Sequence, residues 1–160
     1  MMLSTIALII AMASIYAYAA PERRTCALAA LAFIIIFAAM TDGVHFVSLT
    51  ACRQMDPAQC PRLNHRLSTG EWPTVALALD LLAWDFFLGL SMLFAARVFS
   101  GNQRARPMRL CMTATGALCL GATLGPVSGH MKLQYLGIVG YGFFLGITFA
   151  LLARFFWGDG

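Results

Sequence analysis

Charge is what this 160-residue chain has least of. Asp, Glu, Lys and Arg together make 11% of it, against about 25% in an ordinary soluble domain. Apolar residues make 60%, so both departures run the same way. They exclude a water-soluble enzyme, a secreted disulfide miniprotein and a disordered linker. Several chemical signatures are missing as well. There is no CxxC, no HxxxH or HExxH, no GxSxG elbow, no Gly-rich phosphate loop after a strand, and no repeat at a fixed period. Thiol-redox, serine-hydrolase and phosphate-loop chemistry therefore have no sequence support.

What remains is a set of long apolar runs punctuated by the few charges. They cover residues 3–20, 25–49, 74–98, 110–128 and 133–156. Each is close to the ~20 residues that cross a hydrocarbon core of about 30 Å. In lipid only helices and closed barrels satisfy their own backbone, so the runs predict five transmembrane helices in one all-α membrane domain. The Ala17-Tyr18-Ala19 sequence resembles a signal-peptidase site. The stretch before it has no positive n-region, however, and Arg23 and Arg24 follow it directly, so it reads as a retained helix.

Loop arginines set the orientation. With the N-terminus outside, Arg23, Arg24, Arg97, Arg104, Arg106, Arg109 and Arg154 lie on the cytoplasmic side. Arg53, Arg62, Arg66 and Lys132 lie outside. The bias places the C-terminus inside and suits a bacterial inner membrane. A net charge of +4 is then a topology signal, and no nucleic-acid partner is implied.

The outer loop, residues 50–73, is the one sizeable segment outside the spans. It contains Cys52 and Cys60, which in an oxidising compartment are expected to form a disulfide contributing about 2–3 kcal/mol. Cys26, Cys111 and Cys119 read as small apolar fillers. Trp72-Pro73 reads as an interfacial anchor and a first-turn proline for the third helix, and Pro126 is expected to kink or end the fourth. Gly121, Gly125 and Gly129 in the fourth helix, and Gly142 and Gly146 in the fifth, recur every four residues. Such stripes let backbones approach closely. They are expected to zip helices four and five as a hairpin, with a homo-oligomer as the alternative.

Ionisable groups inside a span cost about 2.5–3.5 kcal/mol each on insertion scales, so they should face the bundle and have partners. Asp42 and His45 on the second helix and Asp80 on the third fall at similar depth near the outer end. His130, in the outer turn, and Glu71, at the loop edge, are placed to cap that cluster, with Trp72 and Trp84 beside it. Asp85 lies deeper and is expected to face elsewhere, toward Thr113 or Thr115. Helix one, with no ionisable group, is expected at the periphery.

Three uses of the cluster compete. One is a structural clamp between helices two and three. Another is a ligand-binding or catalytic site, with His45 as acid or base oriented by Asp42 or Asp80. The last is a metal or tetrapyrrole site using His45, His130 and Asp42. The expected function is that of a non-enzymatic membrane-complex subunit or a lipophilic-ligand-binding protein in contact with membrane lipids. The alternative is a small membrane-embedded enzyme acting on a lipid-like substrate. The sequence specifies no cofactor.

Overall fold

The computed structural model describes residues 2–54 and 72–157. Four helices are long and apolar enough to cross a membrane, and a shorter apolar helix precedes them. α1 is Met2–Tyr18, α2 is Arg24–Leu49, α3 is Val75–Val98, α4 is Arg106–Ser128 and α5 is Met131–Trp157. The 17 residues of α1 reach about 25 Å, a little short of a hydrocarbon core. No strand occurs among the described residues. Glu71 and Cys60 lie outside the described residues, as does the side chain of Cys52, so the expected disulfide does too. Cys26, Cys111 and Cys119 are free thiols.

Local chemistry explains where the helices start and stop. Thr74 caps α3 by accepting a hydrogen bond from the Leu77 N–H at 3.2 Å. Trp72-Pro73 therefore precedes the cap, and Pro73 is not in the first turn. α4 begins at Arg106, four residues before the apolar run, because Pro107 fits a first turn where no N–H is needed. Regular helix breaks after Ala122 and resumes over Leu124–Ser128. Ala122 is four residues before Pro126, whose ring crowds that carbonyl and offers it no N–H. Gly129, at φ +75°, ends the helix in a left-handed conformation that a side chain would strain.

α3 and α5 each contain one widened turn of π-helix, Leu82–Phe87 and Gly140–Phe144. Such turns spread the backbone ladder and occur often at functional sites.

The helices pack mainly in chain order, α1 on α2, α2 on α3, α3 on α4 and α4 on α5. α1 is peripheral but well seated. Leu8, Met12, Ile15 and Ala19 are buried against the bundle, while Leu3, Ile6 and Ile10 face outward. The Ser91 hydroxyl on α3 donates to the Ala30 carbonyl on α2 at 2.8 Å.

Glycines set the closest approaches, though not those of the expected stripes. A Cβ on Gly116 of α4 would lie 2.6 Å from Leu93 Cγ and 2.7 Å from the Gly89 carbonyl oxygen on α3. A Cβ on Gly137 of α5 would lie 2.7 Å from Asp85 Oδ1 and 2.9 Å from Ala122 Cβ. A Cβ on Gly140 would lie 3.2 Å from Cys119 Sγ, Leu118 Cβ and the Thr115 carbonyl oxygen of α4. Helices four and five thus pack as a hairpin through Gly137 and Gly140. A Cβ on Gly121 or Gly125 would make only ordinary contacts at or just before the start of α5, and one on Gly142 or Gly146 would meet nothing within 4 Å. The i, i+4 pair on α5 faces away from α4, because α4 occupies the Gly137–Gly140 side.

One end of the bundle is tied together. The Arg23 guanidinium, just before α2, donates to the carbonyls of Arg97, Val98 and Ser100 at the end of α3. These are orphan C-terminal acceptors, which a cation satisfies well. At the same end Tyr18 of α1 contacts the rings of Phe99, Phe155 and Phe156, with centroids 5.5–5.7 Å apart.

Candidate functional site

The opposite half of the bundle holds the polar residues. His45 and Asp80 come together across α2 and α3, with Nδ1 3.9 Å from Oδ1. That is too long for a hydrogen bond. The imidazole's near partner is instead the Thr41 carbonyl, 2.8 Å from Nδ1 one turn back on its own helix. A carbonyl only accepts, so Nδ1 carries the proton and, in the neutral ring, Nε2 is the basic nitrogen.

Asp42 turns away from this pair. Its Oδ2 accepts from the Thr5 hydroxyl of α1 at 2.8 Å, so it pins α1 to α2. An interhelical bond of this kind is worth about 0.6 kcal/mol on average in a membrane bundle, and up to about 1.7. Asp42 and His45 are three residues apart and serve neighbouring interfaces rather than one another. His130 is exposed, and its Nδ1 lies 3.1 Å from the carbonyl oxygen of Ser128 in its own turn. Trp72 is exposed at the head of α3. Among the described residues no three His, Cys, Asp or Glu side chains converge as a metal site.

Asp85 corrects the expectation of a threonine partner. It is fully buried, and Gln134 Nε2 on α5 donates to both its oxygens, at 2.9 and 3.0 Å. Thr113 instead bonds the Arg109 carbonyl of its own helix, and the buried Thr115 hydroxyl has no hydrogen bond among the described residues. Space decides the pairing. Without a side chain at Gly137, α5 comes close enough to α3 for Gln134 to reach the carboxylate.

Asp80 opens instead onto a lateral groove of about 540 Å³ between α1, α3 and α5. Ser4, Ala7 and Leu8 form one wall, and Leu77, Leu81 and Trp84 flank Asp80 on the next. Tyr141, Leu145 and Phe149 close the third, with Gly142 and Gly146 leaving room between them. The Trp84 and Tyr141 rings touch with centroids 5.0 Å apart, and Phe37 backs Trp84 edge-on at 4.9 Å. Trp84 lies in the π-turn of α3 and Tyr141 in that of α5.

Of the sequence candidates, Asp80 and Trp84 therefore line the groove. His45 stands behind Asp80, while Asp42 and His130 bond elsewhere. Sequence reasoning missed Tyr141, Gln134 and the groove use of Gly142 and Gly146. A search for charge passes over Gln and Tyr, although a Gln at the head of an apolar run asks for a buried partner. Compared with models of known families, with curated proteins and with solved structures, the chain matches none of them.

Proposed function

We propose that this chain is a non-enzymatic, lipophilic-ligand-binding membrane protein whose site is the groove between α1, α3 and α5. It would sit in a bacterial inner membrane with five spans, the N-terminus outside and the arginine-rich end in the cytoplasm. The observation that carries the reading is an apolar groove of ligand size with a carboxylate on its wall. Small-molecule sites commonly measure about 300–1,000 Å³, with mostly apolar walls and a few placed polar groups. A carboxylate in a span is costly, which makes it a functional candidate by default. The groove opens sideways, between helices, so a membrane-dissolved ligand reaches it without crossing water.

Gly142→Leu and Gly146→Leu test the reading. A Cβ added at either glycine meets nothing within 4 Å, so the leucine side chain starts in open space and is expected to fill the groove. Both variants should purify as folded protein and lose binding of an environment-sensitive apolar dye. Unchanged dye binding would remove the groove from consideration. The orientation is checked with Asn102→Cys in a background lacking the native cysteines. An impermeant maleimide added to intact cells should leave it unlabelled, and labelling would invert the topology.

One observation favours a second reading, acid–base chemistry on a lipid-like substrate. The Thr41 carbonyl holds the Nδ1 proton of His45, leaving Nε2 as a positioned base. Mass spectrometry of lipids incubated with the wild type and with His45→Gln checks it. A product found only with the wild type would support catalysis.

A further inference from the structure

Resting on the groove reading above, we propose that the ligand is a lipophilic cation, an amine or onium centre on an apolar body. Its positive centre would lie against the Asp80 carboxylate and the faces of Trp84 and Tyr141. Among the described residues that line the groove, Asp80 carries the one formal charge, and its sign is negative. Its Oδ1 is buried with no hydrogen bond among the described residues, while the Trp84 indole N–H and the Thr41 hydroxyl lie beside the carboxylate. The nearest basic group, His45, has its Nδ1–H directed to the Thr41 carbonyl and stands 3.9 Å from the carboxylate. Among the described residues, no counter-charge is hydrogen-bonded to Asp80.

The aromatic pair supplies the other half of the argument. Trp84 and Tyr141 both line the groove, and their ring planes meet at 54° with centroids 5.0 Å apart. Tilted rings beside a carboxylate favour a desolvated cation, since each π-face carries negative potential. An anion there would meet the negative potential of the aromatic pair and of the carboxylate. A neutral ligand of the same shape would gain the apolar contacts alone. The rest of the wall is aliphatic or glycine apart from Phe149 and Ser4, which suits the apolar body of such a molecule. The cation could come from two sources sharing this chemistry, an aminophospholipid headgroup or a free lipophilic amine.

The test uses three probes of nearly one shape, tetraphenylphosphonium, neutral tetraphenylsilane and the anion tetraphenylborate. They are measured on the full chain in phosphatidylglycerol nanodiscs. Wild type should bind the phosphonium at least ten-fold more tightly than the silane, and the borate most weakly. Asp80→Asn, similar in size, should bring the phosphonium down to the level of the silane and leave the silane within two-fold. Tyr141→Phe keeps the ring and should retain the preference, whereas Tyr141→Leu should reduce it several-fold. If Gly146→Leu weakens all three probes but wild type shows no charge preference, the groove stands and the cation proposal falls. If no probe binds, the groove reading falls and takes the cation proposal with it. Adding phosphatidylethanolamine to the discs separates the sources. Asp80-dependent competition identifies the headgroup, and its absence identifies a free amine.

Discussion

Two carboxylates on one helix, five residues apart, sit in opposite surroundings. Around Asp85 the bundle is sealed: Gly137 brings α5 against it and Gln134 takes both oxygens. Around Asp80 the bundle is open, with the same helix α5 presenting Gly142 and Gly146 to empty space. The same residue type thus serves two ends. Where a neighbouring backbone is close, glycine removes bulk that would hold the helices apart. Where none is close, it leaves a volume. In a membrane the first use builds stability, because van der Waals packing and interhelical hydrogen bonds carry the association. The second leaves the groove open beside Asp80.

The contrast can be broken most directly at the glycines. Gly137→Leu should fail to give a folded, monodisperse protein, since its first side-chain atom already lies within 3 Å of Asp85 and Ala122. Overpacking typically costs about 1–3 kcal/mol and occasionally more, and a clash with a carboxylate and a neighbouring helix falls at the upper end. Gly146→Leu, made on the same helix, should leave the melting temperature nearly unchanged. Equal losses in the two variants, read by size-exclusion chromatography and thermal unfolding, would erase the distinction between seam and groove.

A smaller effect is expected from Gln134→Leu, which strands the buried Asp85. Unpaired buried charges cost about 3–5 kcal/mol in soluble proteins, and relaxation in lipid softens that figure. The melting temperature should drop clearly, and adding Asp85→Leu should recover part of it. Asp80→Asn should move it little. A Gln134→Leu protein as stable as wild type would mean the pair contributes nothing to the seam. Thr5→Val should have the mildest effect, about 0.6–1.7 kcal/mol for one lost interhelical bond. Thermal unfolding in detergent would read it as a small downward shift. No shift would leave Asp42 without a structural role on α1.

The long apolar helices were legible because lipid makes composition and length decisive. Their helical ends were less so, since Thr74 and Pro107 act through capping and first-turn geometry that hydropathy ignores. The approach of His45 to Asp80 followed from depth along two antiparallel helices. The partners of Asp42 and Asp85 did not follow, because both lie on other helices. Thr5 and Gln134 carry no charge to draw attention. The widened turn at Leu82–Phe87 also turns residues beyond it away from where an ideal helix would point them. The small-residue stripe was visible on α5, but spacing alone does not say whether a glycine faces a helix or a void. Only the position of α4, set by Gly137 and Gly140, decides that.

The tie at the arginine-rich end has a mechanical consequence. Arg23 fastens the start of α2 to the last carbonyls of α3, and Tyr18 wedges the foot of α1 among Phe99, Phe155 and Phe156. α1 is thereby held at both ends, by ring contacts at Tyr18 and by the Thr5–Asp42 bond near its start. The two fastenings differ in kind. Three rings share the load at the foot of α1, whereas its head rests on a single hydroxyl and a carboxylate.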